Sequence, residues 1–161
     1  MAAQGGLTKQ GNRILHGLAL SLFLWVAPLE KVRADQRALP ALTVKNDRGG
    51  SLRDRIYEIQ QIRQTGQKVR VTGRICYSTC TMFLGLPQTC VSPDTVFGFH
   101  GPSSYGNALD PDVFERASAL IVQHYPEPLR DWYWNTARHS LRGLYRINGQ
   151  DMIRLGVAAC S

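Results

Sequence analysis

Gly73-Arg74-Ile75-Cys76-Tyr77-Ser78-Thr79-Cys80-Thr81-Met82-Phe83-Leu84-Gly85 decides the fold, together with Val96-Phe97-Gly98-Phe99-His100-Gly101-Pro102 a short way downstream. A β-prone run over residues 69–75 ends in Tyr77-Ser78-Thr79, and apolar Met82-Phe83-Leu84 follow at once. That order predicts a strand, a tight turn carrying Ser78, and a buried helix over residues 79–86. A second short strand over residues 95–99 delivers His100 to its end, where Gly101-Pro102 stops it. A serine at a helix start and a histidine at a strand end are the two parts that an activated serine nucleophile needs. Each also has an ordinary use: Ser78 as a helix N-cap, His100 as a turn residue.

Upstream of that stretch, Ala41-Leu42-Thr43-Val44 is a strand candidate, and Asn46-Asp47-Arg48-Gly49-Gly50-Ser51 is a turn with two adjacent glycines. Ser51 can cap a helix in which Leu52, Ile56, Ile59 and Ile62 recur at helical spacing. Arg53, Asp54, Arg55, Glu58 and Arg63 fill its other face, and Thr65-Gly66 ends it. A strand over residues 68–72 completes a βαβ unit, which implies a parallel pair. The Gly49-Gly50 turn then lies at the carboxyl end of the first strand and Ser78 at the carboxyl end of the next. Sites in parallel α/β sheets form at those ends. The backbone N–H groups of Gly49 or Gly50, with that of Thr79, are therefore the candidate donors for an oxyanion. A plain tight turn is the structural alternative for the two glycines.

Downstream, residues 103–107 read as a flexible loop of the kind that borders sites. Asp110-Pro111 starts a helix whose apolar face is Val113, Phe114, Ala117, Leu120 and Ile121. A second helix over residues 128–139 carries Leu129, Trp132, Tyr133 and Trp134, aromatics read as packing on the sheet more than as a binding wall. His124 and His139 read as surface residues at polar helix ends. A short helix over residues 150–155 ends at Gly156 as C′ residue, and residues 157–160 form a terminal strand.

The bulk composition bounds the class. A length of 161 residues suggests one domain; hydrophobic content is 43% and charged content 19%, ordinary for a globular chain. The formal net charge of +7 is scattered, with no Lys/Arg block that would follow a phosphate backbone, so nucleic acid is not an expected partner. Residues 14–27 are uncharged and mostly apolar after Lys9 and Arg13, a run short for a spanning helix and about right for a signal-peptide core. Residues 1–34 are therefore expected to be a signal peptide, with Val32-Arg33-Ala34 before the cleavage point, and 35–161 the mature domain. The alternative is an uncleaved N-terminal anchor facing the periplasm, the sole membrane contact expected. Cys76, Cys80, Cys90 and Cys160, an even count in a small exported domain, favour two disulfides among three open pairings. A Cys76 or Cys80 bridge to Cys90 would tie the serine turn to the strand before His100. No finger-like ligand spacing is present, so no metal and no cofactor is expected.

The ordered set of Gly49-Gly50, Ser78 opening a buried segment and His100 after a short strand resembles the Clp-protease/crotonase superfamily. It is similar above all to small exported Clp-like proteins of bacteria with a Cys-x-Ser-x-Cys motif. The resemblance covers residues 41–102 well and 145–160 weakly. It implies an α/β fold, a small ββα-type domain with a parallel sheet flanked by helices and a reduced N-terminal part. It further implies a periplasmic or secreted serine hydrolase, a peptidase acting on peptide or protein, with Ser78 as nucleophile and His100 as base. Gly49, Gly50 and Thr79 would form the oxyanion hole, and the family's habits make a homo-oligomer a further expectation. The position matching the family's triad aspartate falls near Leu144, with Tyr145 and Arg146 beside it, and carries no carboxylate. Asp110, Asp112, Asp131 and Asp151 remain as candidates for the third member. The alternative function is a non-catalytic module on the same fold that holds a peptide or partner in the cleft. A crotonase-type acyl-thioester enzyme is a third reading; it would not need Ser78, and export makes a coenzyme A substrate improbable.

Overall fold

The computed structural model describes residues 39–161; the signal-peptide or anchor expectation for residues 1–34 lies outside them. Two short sheets organise the described chain. Strands β1 (Leu42–Val44), β2 (Val69–Val71), β4 (Thr89–Val91) and β7 (Ala158–Ala159) form one sheet in the order β1-β2-β4-β7, parallel throughout. Strands β3 (Ile75–Tyr77), β5 (Val96–Phe99) and β6 (Tyr145–Asn148) form the second, with β3 parallel and β6 antiparallel to β5. The architecture is α/β, with helices packed on a parallel sheet.

The expected βαβ unit is present as β1, helix α1 (Leu52–Thr65) and β2. Ser51 caps α1 by accepting from the Asp54 N–H, and Gly66 ends it in the left-handed conformation. Ile59 and Ile62 are buried, and Leu52 and Ile56 pack at the margin of the core. Pro111 opens α2 (Pro111–Val122), and α3 (Glu127–Asn135) and α4 (Gly149–Arg154) follow. Gly156, at φ 98°, is the left-handed residue after α4.

Several expectations are corrected. The β-prone run over residues 69–75 is not one strand. It breaks at Thr72-Gly73-Arg74 into β2 and β3, which belong to different sheets. Gly73 lies so close to the backbone of Lys45 and Asn46 that a side chain would collide there, and its carbonyl accepts from Thr95 Oγ1 at 2.5 Å. Close packing thus bends the chain where propensity favours continuing. Ser78 therefore follows β3, not the strand after α1. The segment after it is a 3-10 helix, Ser78–Gly85, rather than an α-helix. The hydroxyl of Thr81 bonds the Ser78 carbonyl and that of Thr89 bonds the Phe83 carbonyl, so side chains compete for acceptors an α-helix would use.

The expected helix over residues 128–139 is α3 followed by a separate 3-10 turn, Ala137–His139. On α2, Ser118 and Ile121 are buried while Val113 and Leu120 are exposed, so the core-facing stripe is rotated from the one expected. His124 is buried, its Nδ1–H donating to the Leu120 carbonyl at 2.8 Å; burial lowers its pKa, opposed by that hydrogen bond and assisted by the nearby Arg63 charge. Strand β6 was not expected, although Tyr145-Arg146-Ile147-Asn148 alternates as an edge strand does.

The core is centred on Phe83, Phe97, Phe99, Met82, Tyr133 and Met152, all fully buried. Trp132 meets the Phe99 ring edge-on at 5.2 Å between centroids, and Tyr125 meets Tyr133 at 4.9 Å. The aromatics of α3 thus pack on the second sheet. Burial of the Tyr125 and Tyr133 phenols drives both pKa values up, so both stay neutral hydrogen-bonding groups.

The four cysteines form two disulfides, Cys76–Cys80 and Cys90–Cys160. The conditional bridge from Cys76 or Cys80 to Cys90 is absent; Cys90 instead joins β4 to the chain just beyond β7. Two disulfides point to an oxidising compartment. No helix among the described residues is long and apolar enough to cross a membrane.

Candidate functional site

Ser78, Thr79, His100, Gly50 and the loop over residues 101–106 line one cavity of about 570 Å³. The serine side of it is built by three constraints. The Cys76–Cys80 bridge closes a five-residue ring with Ser78 at its centre. Within that ring Ser78 adopts φ 57°, the left-handed region that non-glycine residues rarely occupy. Such a conformation costs on the order of 1–3 kcal/mol and persists only where the surroundings enforce it. Finally, the Ser78 carbonyl accepts from the buried Thr81 hydroxyl at 2.7 Å, and Thr81 is joined at 2.8 Å to the buried Tyr125 hydroxyl. Covalent ring, helix start and buried hydroxyl relay together hold the strained turn.

The glycine turn reaches Ser78 through a parallel bridge between Asp47 and Cys76, in which the Tyr77 N–H donates to the Asp47 carbonyl at 2.8 Å. Gly49, at φ 92°, sits directly against the serine: a Cβ built on it would lie 2.5 Å from Ser78 Cβ and 2.9 Å from Ser78 Oγ. Its contribution is the absence of a side chain. Its own N–H donates to Asp47 Oδ1 at 2.7 Å, so it is not free for a ligand. Of the three expected donors, Gly50 and Thr79 remain; neither N–H has an acceptor among the described residues, and both residues line the cavity. Thr79 is also at the start of the 3-10 helix, where backbone N–H groups are left over.

The histidine side is held by backbone. His100 Nδ1 is 2.7 Å from the Gly101 carbonyl. A carbonyl only accepts, so Nδ1 carries the proton and Nε2 keeps its lone pair when the ring is neutral. The Gly101 N–H donates to the Ser140 carbonyl at 3.0 Å, the Tyr133 hydroxyl donates to the His100 carbonyl at 3.4 Å, and Gly101 packs on the Arg138 carbonyl with no room for a Cβ. Arg138 is itself fixed: Nε donates to the Trp134 carbonyl, one terminal nitrogen meets Glu115 at 2.7 Å, and the guanidinium stacks on Trp134 at 3.9 Å.

No hydrogen bond links Ser78 Oγ to His100 in the described residues, and none of Asp110, Asp112, Asp131 or Asp151 bonds the imidazole. Asp110, Asp112 and Asp131 are exposed, and the Asp151 carboxylate pairs with Arg154. The Gly101 carbonyl occupies the place a triad carboxylate would take. It fixes the tautomer as a carboxylate does, but brings no full negative charge to balance an imidazolium.

Past Pro102 the loop forms a two-residue hairpin turn. Ser104 and Asn107 exchange both backbone hydrogen bonds at 2.9 Å, and Tyr105 and Gly106 between them have φ 50° and 83°. Tyr105 is fully exposed at the cavity rim. Sequence reasoning did not single out Asp47, Thr81 or Tyr125. The first was visible only as a polar turn residue and the other two as unremarked neighbours of apolar runs. Among the described residues no cluster of three or more His, Cys, Asp or Glu is arranged to hold a metal. No family model matches the chain, and no curated protein matches it.

Proposed function

We propose that this chain is an exported serine hydrolase of the Clp-like kind, a peptidase whose nucleophile is Ser78 and whose base is His100. The observation that carries the reading is the left-handed Ser78, enclosed in a disulfide ring and facing the same cavity as a histidine whose Nδ1 is committed to a carbonyl. A strained serine at the start of a helical segment presents its Oγ outward, and strain of this kind concentrates at working sites.

In the proposed reaction Ser78 Oγ attacks a substrate carbonyl carbon while its proton passes to His100 Nε2. The carbonyl π electrons move to oxygen, and the Gly50 and Thr79 N–H groups hold that oxyanion. Collapse breaks the carbon–nitrogen bond, and His100 gives the proton to the leaving amine. Water then attacks the acyl-enzyme with His100 again as base, and Ser78 leaves with its proton restored. Ser78 and His100 line the same cavity without a hydrogen bond between them; in the proposed reaction substrate binding draws them into reach, as in catalytic pairs whose hydrogen bonds tighten only in the complex.

A fluorophosphonate probe tests the reading. Wild type should be labelled at Ser78, Ser78→Ala should not be labelled, and His100→Ala should label at least about 100-fold more slowly. Equal labelling of wild type and Ser78→Ala would end the proposal. The competing reading, a non-catalytic peptide-binding module on the same framework, is favoured by one specific observation: among the described residues the imidazole has no carboxylate partner.

A further inference from the structure

Asp47 does not line the cavity, but its carboxylate is bonded to the glycine turn that flanks Ser78 and, among the described residues, not to His100. Its Oδ1 accepts the Gly49 N–H at 2.7 Å and its Oδ2 receives Arg55 at 2.5 Å, while its main-chain carbonyl accepts the Tyr77 N–H one residue before Ser78. Asp47 therefore touches the glycine turn, the serine turn and α1 at once.

Arg55 has been drawn out of solvent to make this contact. The sequence placed it on the polar face of α1, yet its side chain retains 10% of its exposure. Its second terminal nitrogen meets Glu58 at 2.7 Å, and its guanidinium lies 4.4 Å from the centre of the Phe83 ring, inside the 3-10 helix that Ser78 opens. Its Nε is buried with no partner among the described residues. A buried guanidinium with one orphaned nitrogen is costly. A surface arginine on an amphipathic helix has no local reason to adopt it, and broken local rules of this kind gather where geometry serves function.

We infer that Asp47, braced by Arg55, is the positioning residue that shapes the oxyanion hole. By engaging the Gly49 N–H it fixes the Arg48–Gly49 peptide plane, and so sets the direction in which the chain enters the next peptide, whose Gly50 N–H has no acceptor among the described residues. On this reading the carboxylate holds the turn that carries the Gly50 donor and does not engage the histidine. The consequence is that Asp47 acts on transition-state stabilisation, with no part in proton transfer and little in ground-state binding. This inference rests on the serine-hydrolase reading for its chemical meaning, though the geometry it describes is measurable without turnover.

The test uses the full chain with both disulfides intact, as wild type, Asp47→Ala, Asp47→Asn and Arg55→Lys, each checked for wild-type circular dichroism. Two quantities are read: the fluorophosphonate labelling rate at Ser78, and amide hydrogen exchange at Gly49 and Gly50. Asp47→Ala should label at least about tenfold more slowly with little change in the probe concentration giving half-maximal rate, because only transition-state stabilisation is lost. Its Gly49 amide should lose protection. Asp47→Asn keeps an oxygen acceptor for Gly49 and should recover to within about threefold of wild type. Arg55→Lys should fall between them, since a single ammonium cannot span Asp47 and Glu58 as a guanidinium does.

A folded Asp47→Ala that labels at the wild-type rate overturns the inference and leaves the hydrolase reading standing. Unlabelled wild type defeats the hydrolase reading instead; the positioning claim is then decided by exchange, standing if Gly49 protection falls in Asp47→Ala and returns in Asp47→Asn, and failing if it does not move. Should Asp47→Ala not fold, the comparison of Asp47→Asn with Arg55→Lys decides, and equal wild-type rates in both count against the inference.

Discussion

The serine and histidine sides of the cavity are held in different ways. Ser78 is enforced by side chains and a covalent ring: Cys76–Cys80, the Thr81–Tyr125 hydroxyls and the close-packed Gly49. His100 is held mostly by backbone, through the Gly101 carbonyl, the Ser140 carbonyl and the packing of Gly101 on Arg138, with one side-chain bond from the Tyr133 hydroxyl to its carbonyl. The difference has a conformational reason: a left-handed serine is strained and needs an outside restraint, whereas an imidazole has no strained backbone to hold and its tautomer is fixed by one carbonyl.

The two disulfides offer the largest way to break that contrast. The chain-entropy model gives the bridge closing some 71 residues, Cys90–Cys160, about 4 kcal/mol and the five-residue Cys76–Cys80 ring about 2 kcal/mol. Replacing the first pair by alanine should lower the urea midpoint more. Replacing the second should lower fluorophosphonate labelling more, because it frees Ser78. A Cys76/Cys80 double variant that labels at the wild-type rate would show that the ring is stabilising only.

Thr81→Val should come next. It removes the hydroxyl from the Ser78 carbonyl and leaves the buried Tyr125 hydroxyl unpaired, at about 1–3 kcal/mol in denaturant unfolding, with Thr81→Ser recovering part of it. A loss of less than a few tenths would mean that the relay does not restrain the serine.

A smaller effect should distinguish strain from packing. Alanine at position 78 keeps the penalty of φ 57°, whereas glycine accepts that conformation freely. Ser78→Gly should therefore be more stable than Ser78→Ala, by about 1 kcal/mol. The reverse order in thermal melts would remove the claim that this backbone is under strain.

The smallest effect lies outside both sides, at His124. Its folded pKa is depressed by burial below the ordinary 6.5, so the unfolded chain binds a proton more readily than the folded one. The contribution is nil well above pH 6.5; stability then falls as pH drops through 6.5 towards the folded value. Urea midpoints at pH 7 and pH 5 should differ more for wild type than for His124→Gln. Equal differences would mean that His124 is not the group responsible.

Much of the framework was legible in the residues. The periodicity of Leu52, Ile56, Ile59 and Ile62, the Ser51 cap, the Gly66 stop, Pro111 and Gly156 act within a turn or two of chain, and local sterics determine them. The candidate site was half legible. Ser78, His100 and the glycine pair could be named because each sits next to punctuation that a strand or helix end requires, and the cavity brings Ser78, His100, Gly50 and Thr79 together. What stayed hidden depends on residues far apart in sequence. The break at Gly73 is forced by the backbone of Lys45 and Asn46, and the burial of His124 by packing beyond its own helix.

The sequence by itself determined the βαβ start, the small set of chemically able side chains and the parity that pairs four cysteines. Only the tertiary structure decided which cysteines pair, that Ser78 is left-handed, that Gly49 yields its N–H to Asp47, and that a carbonyl stands where a triad carboxylate would. The physical reason is range. Propensity and periodicity act over a few residues, whereas hydrogen-bond assignment, burial and strain are settled by neighbours that fold from elsewhere in the chain.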